Sequence, residues 1–463
     1  MIRLFRVFVP TSVIALLISE VVLIFSCFVI ASYIILDSDP EVFLLYDGGL
    51  QKMSLVVLSM MLGLYFQDLY TDLRVRSKIA LVQQLCLVIG IVFFLQALLT
   101  YVNPNLMMSR WIMITGCGLT LILIPAWRVL FTGVVLRAVG SVRILFLGSS
   151  AVTQEIAARL EERPELGLMS VGYLDNAHEK GEHLPGGEVL GSMDTLLQVV
   201  EEVKPDRIVV GLTERRGMLP VYDLLDLRFL GIQIEEAAHT YETAFLRVST
   251  RDLRPSQLIF TADLGPRPQK MQMQAIYSTV IAFIGVILTL PVMLLVAIAV
   301  KLTSPGPVLY KQTRVGLNGK LFRVLKFRSM RTDAEAGTGA VWAAKDDPRV
   351  TPIGKYLRRL RLDELPQLFN VLRGEMSIVG PRPERPEFVR TLTEQIPYYR
   401  QRHSVRPGIT GWAQVNYKYG DSLQDTIIKL EYDLYYIKNL SPSLDAYIIF
   451  HTTKVMLFSN HGQ

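Results

Sequence analysis

Residues 275–300, AIYSTVIAFIGVILTLPVMLLVAIAV, carry no charge and are long enough to span a bilayer. Four apolar segments precede this run, at about 11–36, 53–70, 79–101 and 111–136, each near the roughly 20 residues a spanning helix requires. A chain of 463 residues that is 51% hydrophobic has room for two or three domains and reads as a membrane protein. The first segment exceeds a signal-peptide core and no small-residue cleavage site follows it, so it is expected to stay as an anchor.

Basic residues orient these segments. Arg3 and Arg6 precede the first, Arg74, Arg76 and Lys78 follow the second, and Arg128, Arg137 and Arg143 mark the end of the fourth. The loop after the first segment is instead acidic, with Asp37, Asp39, Glu41 and Asp47. Positive charge stays on the cytoplasmic side, which places the amino terminus and everything after residue 137 there. Pro125 and Arg128 interrupt the fourth segment, so its embedded part is expected to end near Trp127.

The same rule bears on 275–300. Arg267 and Lys270 stand before it and Lys301, Lys311 and Arg314 after it, so both ends read as cytoplasmic. Pro291 inside the run removes a backbone donor and crowds the preceding turn, at a cost of roughly 3 kcal/mol unless a bend relieves it. A re-entrant helix that bends at Pro291 and leaves on the face it entered satisfies both observations. A proline-kinked spanning helix is the alternative.

Between these membrane segments, VRILFLGSS, VTQEIAARLEER, SVGYLDN and DRIVVGLTE alternate strand and helix patterns, which predicts a parallel, Rossmann-like α/β domain over 141–250. After Gly148 the turn reads Ser149, Ser150, Ala151 rather than a glycine-rich fingerprint, so phosphate binding there is weakly supported and a regulatory or structural role is expected. Cys27, Cys86 and Cys117 all lie in apolar stretches and form no disulfide framework or zinc cluster. Of the six histidines only His178 and His183 are neighbours, in the polar stretch HEKGEHLPGG, which fits a solvated loop better than a metal site. The net charge of +6 suits anionic lipid, nucleotide or nucleic acid and separates none of them.

The chemistry-bearing residues follow the uncharged run. Ser304–Pro307 form a turn, after which Lys311, Arg314, Lys320, Arg323, Lys326, Arg328 and Arg331 arrive in close succession. That is more charge than attraction to a membrane surface needs, at ~1 kcal/mol for each basic residue near it. Further on, Asp363 and Glu364 stand among Arg358, Arg359, Arg361, Arg373, Arg382 and Arg385. Pro366 predicts a helix start there, with Asp363 capping it and held ionised by the helix dipole. Capping does not account for so many arginines. A carboxylate that attacks an anionic phosphate needs cations placed in advance, usually with Mg2+, and Arg382 between Pro381 and Pro383 resembles such a clamp. One carboxylate could attack while the other helps hold the metal.

The runs SPGPVLYKQTRVG, FRVLKFRSM, RRLRLDELPQLFNVLRGEMSIVGPRPE and RPGITGWAQVN closely resemble the bacterial sugar transferases, the monotopic phosphoglycosyl transferases, over about 270–463. The amino-terminal helices and α/β domain look like those of the large subclass. The resemblance implies transfer of a sugar-1-phosphate from a UDP-sugar to undecaprenyl phosphate, with release of UMP, at the cytoplasmic face of the bacterial inner membrane. It implies Asp363 as nucleophile through an aspartyl-phosphosugar intermediate, Glu364 as its partner near Mg2+, and Lys326, Arg358 and Arg382 as phosphate ligands. Arg328, Arg314 and Lys311 are further phosphate-binding candidates from the basic run. Pro291 corresponds to the break of the family's re-entrant helix.

The expected organisation is four transmembrane helices over 1–137, the α/β domain over 141–250, a linker over 251–273, the re-entrant helix over 274–301 and an α/β-type catalytic domain over 302–463. Trp412, Gln414 and Asn416 are expected either to contact substrate or, for Trp412, to anchor at the membrane interface. A homodimer is plausible, and nucleic acid is not an expected partner. Two competing readings are a non-catalytic membrane sensor with a lipid-binding basic tail, and a transferase in which the lipid phosphate attacks directly with Asp363 as a metal ligand only.

Overall fold

The computed structural model describes residues 2–4, 6–36, 39–70, 73, 78–135, 141–212, 219–251, 265, 267–332, 334, 347–417, 420 and 422–458. Arg74, Arg76, Arg137 and Asp37, and most of the expected linker, lie outside the described residues. The chain divides into two compact units, Met1–Arg3 with Phe8–Glu235, and Leu4–Val7 with Glu236–Gln463.

In the first unit four long apolar helices, α1 (Thr11–Ile35), α2 (Gly49–Phe66), α3 (Lys78–Val102) and α4 (Arg110–Leu130), are long and apolar enough to cross a membrane. They share a core that includes Ile24, Phe28, Met53, Met60, Val88 and Ile112. Glycines let the backbones approach: a Cβ on Gly116 would lie 2.6 Å from the Phe28 ring, and one on Gly63 2.6 Å from Val88. Outward faces carry exposed Ile18, Val22, Phe94 and Ile122, as a lipid-facing surface would.

Two expectations are adjusted here. Helix α2 starts and ends a turn earlier than the apolar pattern predicts, because Gly48, at φ +69°, turns the chain into it. Pro125 and Arg128 do not interrupt helix α4, which runs past Trp127 to Leu130 and continues as a π-helical turn, Phe131–Val135. The reason lies in a charge that hydropathy passes over. Glu20, inside α1 and fully buried, accepts from Arg128 Nε at 2.6 Å and Nη2 at 2.9 Å, and from the Tyr70 hydroxyl at 2.5 Å. Arg128 also donates to the Leu69 carbonyl at 2.7 Å. Arg128 is therefore an internal partner within the bundle rather than a surface charge that marks its edge.

The same unit holds a six-stranded sheet: β1 (Val142–Leu147), β2 (Leu168–Leu174), β3 (His183–Leu184), β4 (Gly187–Gly191), β5 (Arg207–Val210) and β6 (Gln233–Glu236) in the order β3-β4-β2-β1-β5-β6. Strands β1, β2, β4 and β5 pair in parallel, as alternating strand and helix patterns require. His183 lies on the β3–β4 hairpin and His178 Nδ1 is hydrogen-bonded with Glu182 Oε1 at 3.0 Å, so the polar stretch is a short hairpin with its own side-chain contact.

In the second unit a 36-residue helix, α5 (Pro268–Thr303), carries the uncharged run. It stays helical through Pro291, so no break in the helix accompanies the proline. Gln274, Ser278, Ala282, Met293, Val296 and Val300 form a buried stripe along it. Ala282 joins the core around Val371, Met376 and Trp412, while Met293, Val296 and Val300 pack with Phe327 and Leu357. The other side exposes Ile276, Phe283, Ile287, Leu288 and Leu295. One folded unit thus lines the helix from near its first turn to near its last.

Candidate active site

Three segments converge on the acidic pair, and each is held by its own local chemistry. The first is a hairpin of β7 (Leu309–Val315) and β8 (Leu321–Phe327), whose register sets Lys326 opposite Tyr310 and Lys311 opposite Leu325. Side chains alternate across a strand, so Lys326 shares a face with the buried Phe322 and Val324, and Lys311 projects from the other face. Asn370, fully buried on the helix Gln367–Leu372, accepts from the Leu325 N–H at 3.0 Å and donates to the Arg323 carbonyl at 2.8 Å. That amide fixes the strand carrying Lys326 against the helix that follows the acidic pair.

The second segment is the pair itself. The helix Pro352–Arg359 is capped by Thr351, whose hydroxyl accepts from the Gly354 N–H at 3.0 Å. Arg361 then adopts the left-handed region, φ +56°, and the chain enters a single 3-10 turn, Leu362–Glu364. Successive side chains of such a turn diverge by roughly 120°, so Asp363 and Glu364 point to different surroundings. Pro366 precedes the next helix, and Asp363 makes no capping bond to it. The capping expectation is therefore overturned: the left-handed Arg361 places the pair in a turn of its own.

The third segment follows the short strand Ser377–Val379, parallel to Gly408–Thr410. A Cβ on Gly408 would lie 2.1 Å from the Gly380 nitrogen, so two backbones touch where the chain turns into Pro381, Arg382 and Pro383. Arg382 Nη2 then reaches Glu364 Oε1 at 3.1 Å, and Lys326 Nζ reaches the same oxygen at 3.0 Å.

These contacts separate the two carboxylates. Burial pushes Glu364 upward, but Lys326, Arg382 and Arg361 outweigh it and hold the carboxyl well below its usual range. Asp363, 7% exposed, receives no hydrogen bond among the described residues. Burial raises its pKa, Lys326 opposes this, and the charge on Glu364 raises it further. The direction is opposite to that expected from a helix dipole, because desolvation and a like charge act where no cap exists. The result is a Glu364 whose carboxylate form is favoured and which draws cations to it, beside an Asp363 that is more basic and that no described residue hydrogen-bonds.

The other expected phosphate ligands are placed differently. Arg358 donates through Nε to Ser329 Oγ at 3.1 Å and adds its charge near Asp363. Arg314 donates to Gln312 Oε1 at 2.6 Å and to the Pro383 carbonyl at 3.1 Å, bracing the loop that carries Arg382. Arg328 is buried and donates to the carbonyl and hydroxyl of Ser304, both at 2.7 Å, tying β8 to the end of α5. Lys311 is not brought to the pair. Pro291 lies in α5, whose carboxy-terminal part packs on Phe327 and Leu357.

Trp412 meets neither expectation: it is buried, stacks on Tyr435 at 5.8 Å and donates to the Leu246 carbonyl at 2.9 Å. Asn416 donates to the Trp412 carbonyl and Gln414 to that of Ile409. Lys418, Tyr419 and Asp421, just after RPGITGWAQVN, lie outside the described residues. The sequence pattern does not mark Asn370 or Arg402 as site residues; an asparagine on the apolar face of LPQLFNVL is the available signal for the first.

Among the described residues no three acidic, histidine or cysteine side chains converge. Among the described residues, this site offers a metal the two carboxylates, to which oxygens of a phosphate ligand would be added, as is usual for Mg2+. Asp363 and the second oxygen of Glu364 fit that role.

The model of the family described as bacterial sugar transferase matches residues 269–459, and that of a CoA-binding domain matches 65–217. A UDP-N-acetylgalactosamine-undecaprenyl-phosphate N-acetylgalactosaminephosphotransferase of Aeromonas hydrophila is 47% identical over 216 residues, 47% of this chain and 50% of that protein. A UDP-glucose:undecaprenyl-phosphate glucose-1-phosphate transferase of Xanthomonas campestris is 34% identical over 315 residues, 66% of this chain and 65% of that protein. The chain therefore spans about half to two thirds of the length of these relatives. An uncharacterized sugar transferase of Haemophilus influenzae is 31% identical over 396 residues, 79% of this chain and 80% of that protein. Apolar helices, a parallel α/β domain and a cation-framed acidic pair thus lie in a chain that belongs to the bacterial sugar transferase family.

Proposed function

We propose that this chain transfers a sugar-1-phosphate from a UDP-sugar to undecaprenyl phosphate. The observation that carries the reading is the division of labour between adjacent carboxylates: Glu364 is bound by Lys326 and Arg382, and Asp363 beside it is given no hydrogen bond by any described residue. An Asp363 oxygen attacks the sugar-bearing phosphorus, forming an O–P bond as the bond to UMP breaks, and UMP leaves with the electron pair. An oxygen of undecaprenyl phosphate then attacks the same phosphorus, forming the lipid diphosphate sugar and returning Asp363 as carboxylate. Lys326, Arg358 and Arg382 hold the charge that develops on the phosphoryl oxygens. Mg2+, held by Asp363 and Glu364, would supply further neutralisation of the diphosphate.

Helix α5 supports the placement of this chemistry at the bilayer surface. A spanning helix needs roughly 20 residues in hydrocarbon. The buried stripe of α5 recurs from Gln274 to Val300, and its widest interval, Ala282 to Met293, is bridged by Gly285 against Leu368. We read α5 as re-entrant, changing direction by a kink at Pro291 within a continuous helix and so entering and leaving on the cytoplasmic face of the inner membrane, where a soluble nucleotide sugar and a lipid phosphate both reach Asp363.

The donor is chosen by assay. The full chain in lipid nanodiscs, supplied with undecaprenyl phosphate and Mg2+, is expected to release UMP from one member of a UDP-sugar panel headed by UDP-N-acetylgalactosamine and UDP-glucose, the sugars in the relatives' names. Silence on every donor would refute the reading. The α/β domain takes a regulatory or assembly role in this account.

A further inference from the structure

Arg402 is 7% exposed and lies on the 3-10 segment Tyr399–Ser404, away from the acidic pair in sequence. Its Nε donates to Asp433 Oδ2 at 3.0 Å, its Nη1 to the Tyr399 hydroxyl at 2.7 Å and its Nη2 to the backbone carbonyl of Arg382 at 3.1 Å. Asp433, 2% exposed on the helix Leu423–Asn439, completes a buried ion pair, Nη2 to Oδ2 at 2.8 Å. A buried ion pair is weak evidence for stability, because an apolar pair of similar volume often does as well or better. This pair has a second use: its guanidinium grips the backbone carbonyl of Arg382, one of the two residues whose side chains reach Glu364.

We propose that Arg402 is a positioning residue for phosphate transfer, acting through the Arg382 carbonyl, with Asp433 and Tyr399 fixing the plane of its guanidinium. This rests on the reading of the acidic pair as a phosphoryl-transfer site. The carbonyl of Arg382 lies between two proline rings, so its own loop offers few donors to hold it: Pro381 and Pro383 have no N–H. Arg402 supplies that donor from a different segment. Arg314, at the Pro383 carbonyl, grips the neighbouring peptide group. The two arginines hold consecutive carbonyls of the clamp, so the Arg382 side chain meets Glu364 without having to order the loop when substrate arrives.

The test uses the full chain in nanodiscs with the UDP-sugar that wild type accepts, reading kcat, donor KM and thermal midpoint. The paired replacement Arg402→Met with Asp433→Leu removes the grip without stranding a buried charge. It is expected to keep the thermal midpoint and to lower kcat about 100-fold, the loss that a displacement of about 1 Å produces, with donor KM nearly unchanged. Arg402→Lys, which keeps one donor but not the fork, is expected to recover part of that loss. Combined with Arg382→Ala, either replacement is expected to cost nothing further, because the residue being positioned is gone.

Wild-type kcat in the folded pair, or losses that multiply in the Arg382→Ala background, would overturn the proposal. A loss of turnover that only tracks a lowered thermal midpoint would also overturn it. If the paired variant fails to fold, Arg402→Lys alone, with and without Arg382→Ala, decides by the same criterion. A wild-type chain silent on every donor removes the underlying reading instead, and the inference with it.

Discussion

The two units each carry an acidic residue where a phosphate is a natural guest, and they treat it oppositely. In the α/β sheet the strand order reverses between β1 and β5, the place where such folds usually bind a ligand. There Asp175 accepts from both the backbone N–H and the hydroxyl of Ser149, the groups that would face an anion. Gly211 lies so close to the helix that follows β1, Ala151–Glu162, that a Cβ would sit 2.1 Å from Thr153. In the second unit Glu364 draws the cations together and Asp363 is left without a donor among the described residues. An acid next to a phosphate-sized turn signals little by itself. What distinguishes the sites is whether their polar groups satisfy one another or stay available.

That contrast can be broken most forcefully at Asp363. Asp363→Asn is expected to remove UMP release, by more than about 1,000-fold, because the nucleophile is lost while the cations remain. Near-normal release in the folded variant would return the pair to a structural role. Lys326→Ala and Arg382→Ala are each expected to lower kcat about 100- to 1,000-fold, the effect of losing one preorganised charge-stabilising donor. Lys311→Ala, on the opposite face of the hairpin, serves as the control, and a comparable loss there would mean that general basicity rather than the Glu364 contacts matters.

Much of this was legible in sequence, and the failures have physical causes. Apolar length and the alternation of strand and helix patterns identified the bundle and the α/β domain, because burial period is a local property. The buried Glu20–Arg128 pair was not legible, since each charge is neutralised by a helix more than a hundred residues away. Asp363 was expected to be a cap with a lowered pKa. A left-handed arginine, invisible to pattern, put it in its own turn, where burial and Glu364 raise its pKa instead. Trp412 shows the same limit: a tryptophan in a glycine-rich motif reads as a contact residue, while its stacking on Tyr435 belongs to the core.

Smaller effects sharpen the comparison further. Trp412→Ala is expected to destabilise the second unit by about 3–5 kcal/mol, measured by denaturant unfolding, as for a buried aromatic. A cost below about 1 kcal/mol would contradict its core assignment. Burial and the Arg402 charge lower the His403 pKa from 6.5 to about 4. The unfolded chain therefore binds a proton that the folded one rejects between these values, so this group's contribution to stability is present above about pH 6.5 and is lost as pH falls toward 4. His403→Gln is expected to flatten that part of the stability profile; an unchanged slope would rule the residue out as its source. Least of all, Asp175→Asn is expected to cost about 1 kcal/mol in stability and to leave turnover intact. A large loss of turnover there would mean that the α/β crevice takes part in the chemistry.

The most direct test is to incubate the purified chain with its UDP-sugar and Mg2+ in the absence of undecaprenyl phosphate and to map peptide masses. The account predicts a sugar-phosphate adduct on the peptide carrying Asp363, with stoichiometric release of UMP, and its disappearance when the lipid is added. UMP release that requires both substrates together, with no adduct trapped at Asp363, would contradict it and leave direct attack by the lipid phosphate as the mechanism.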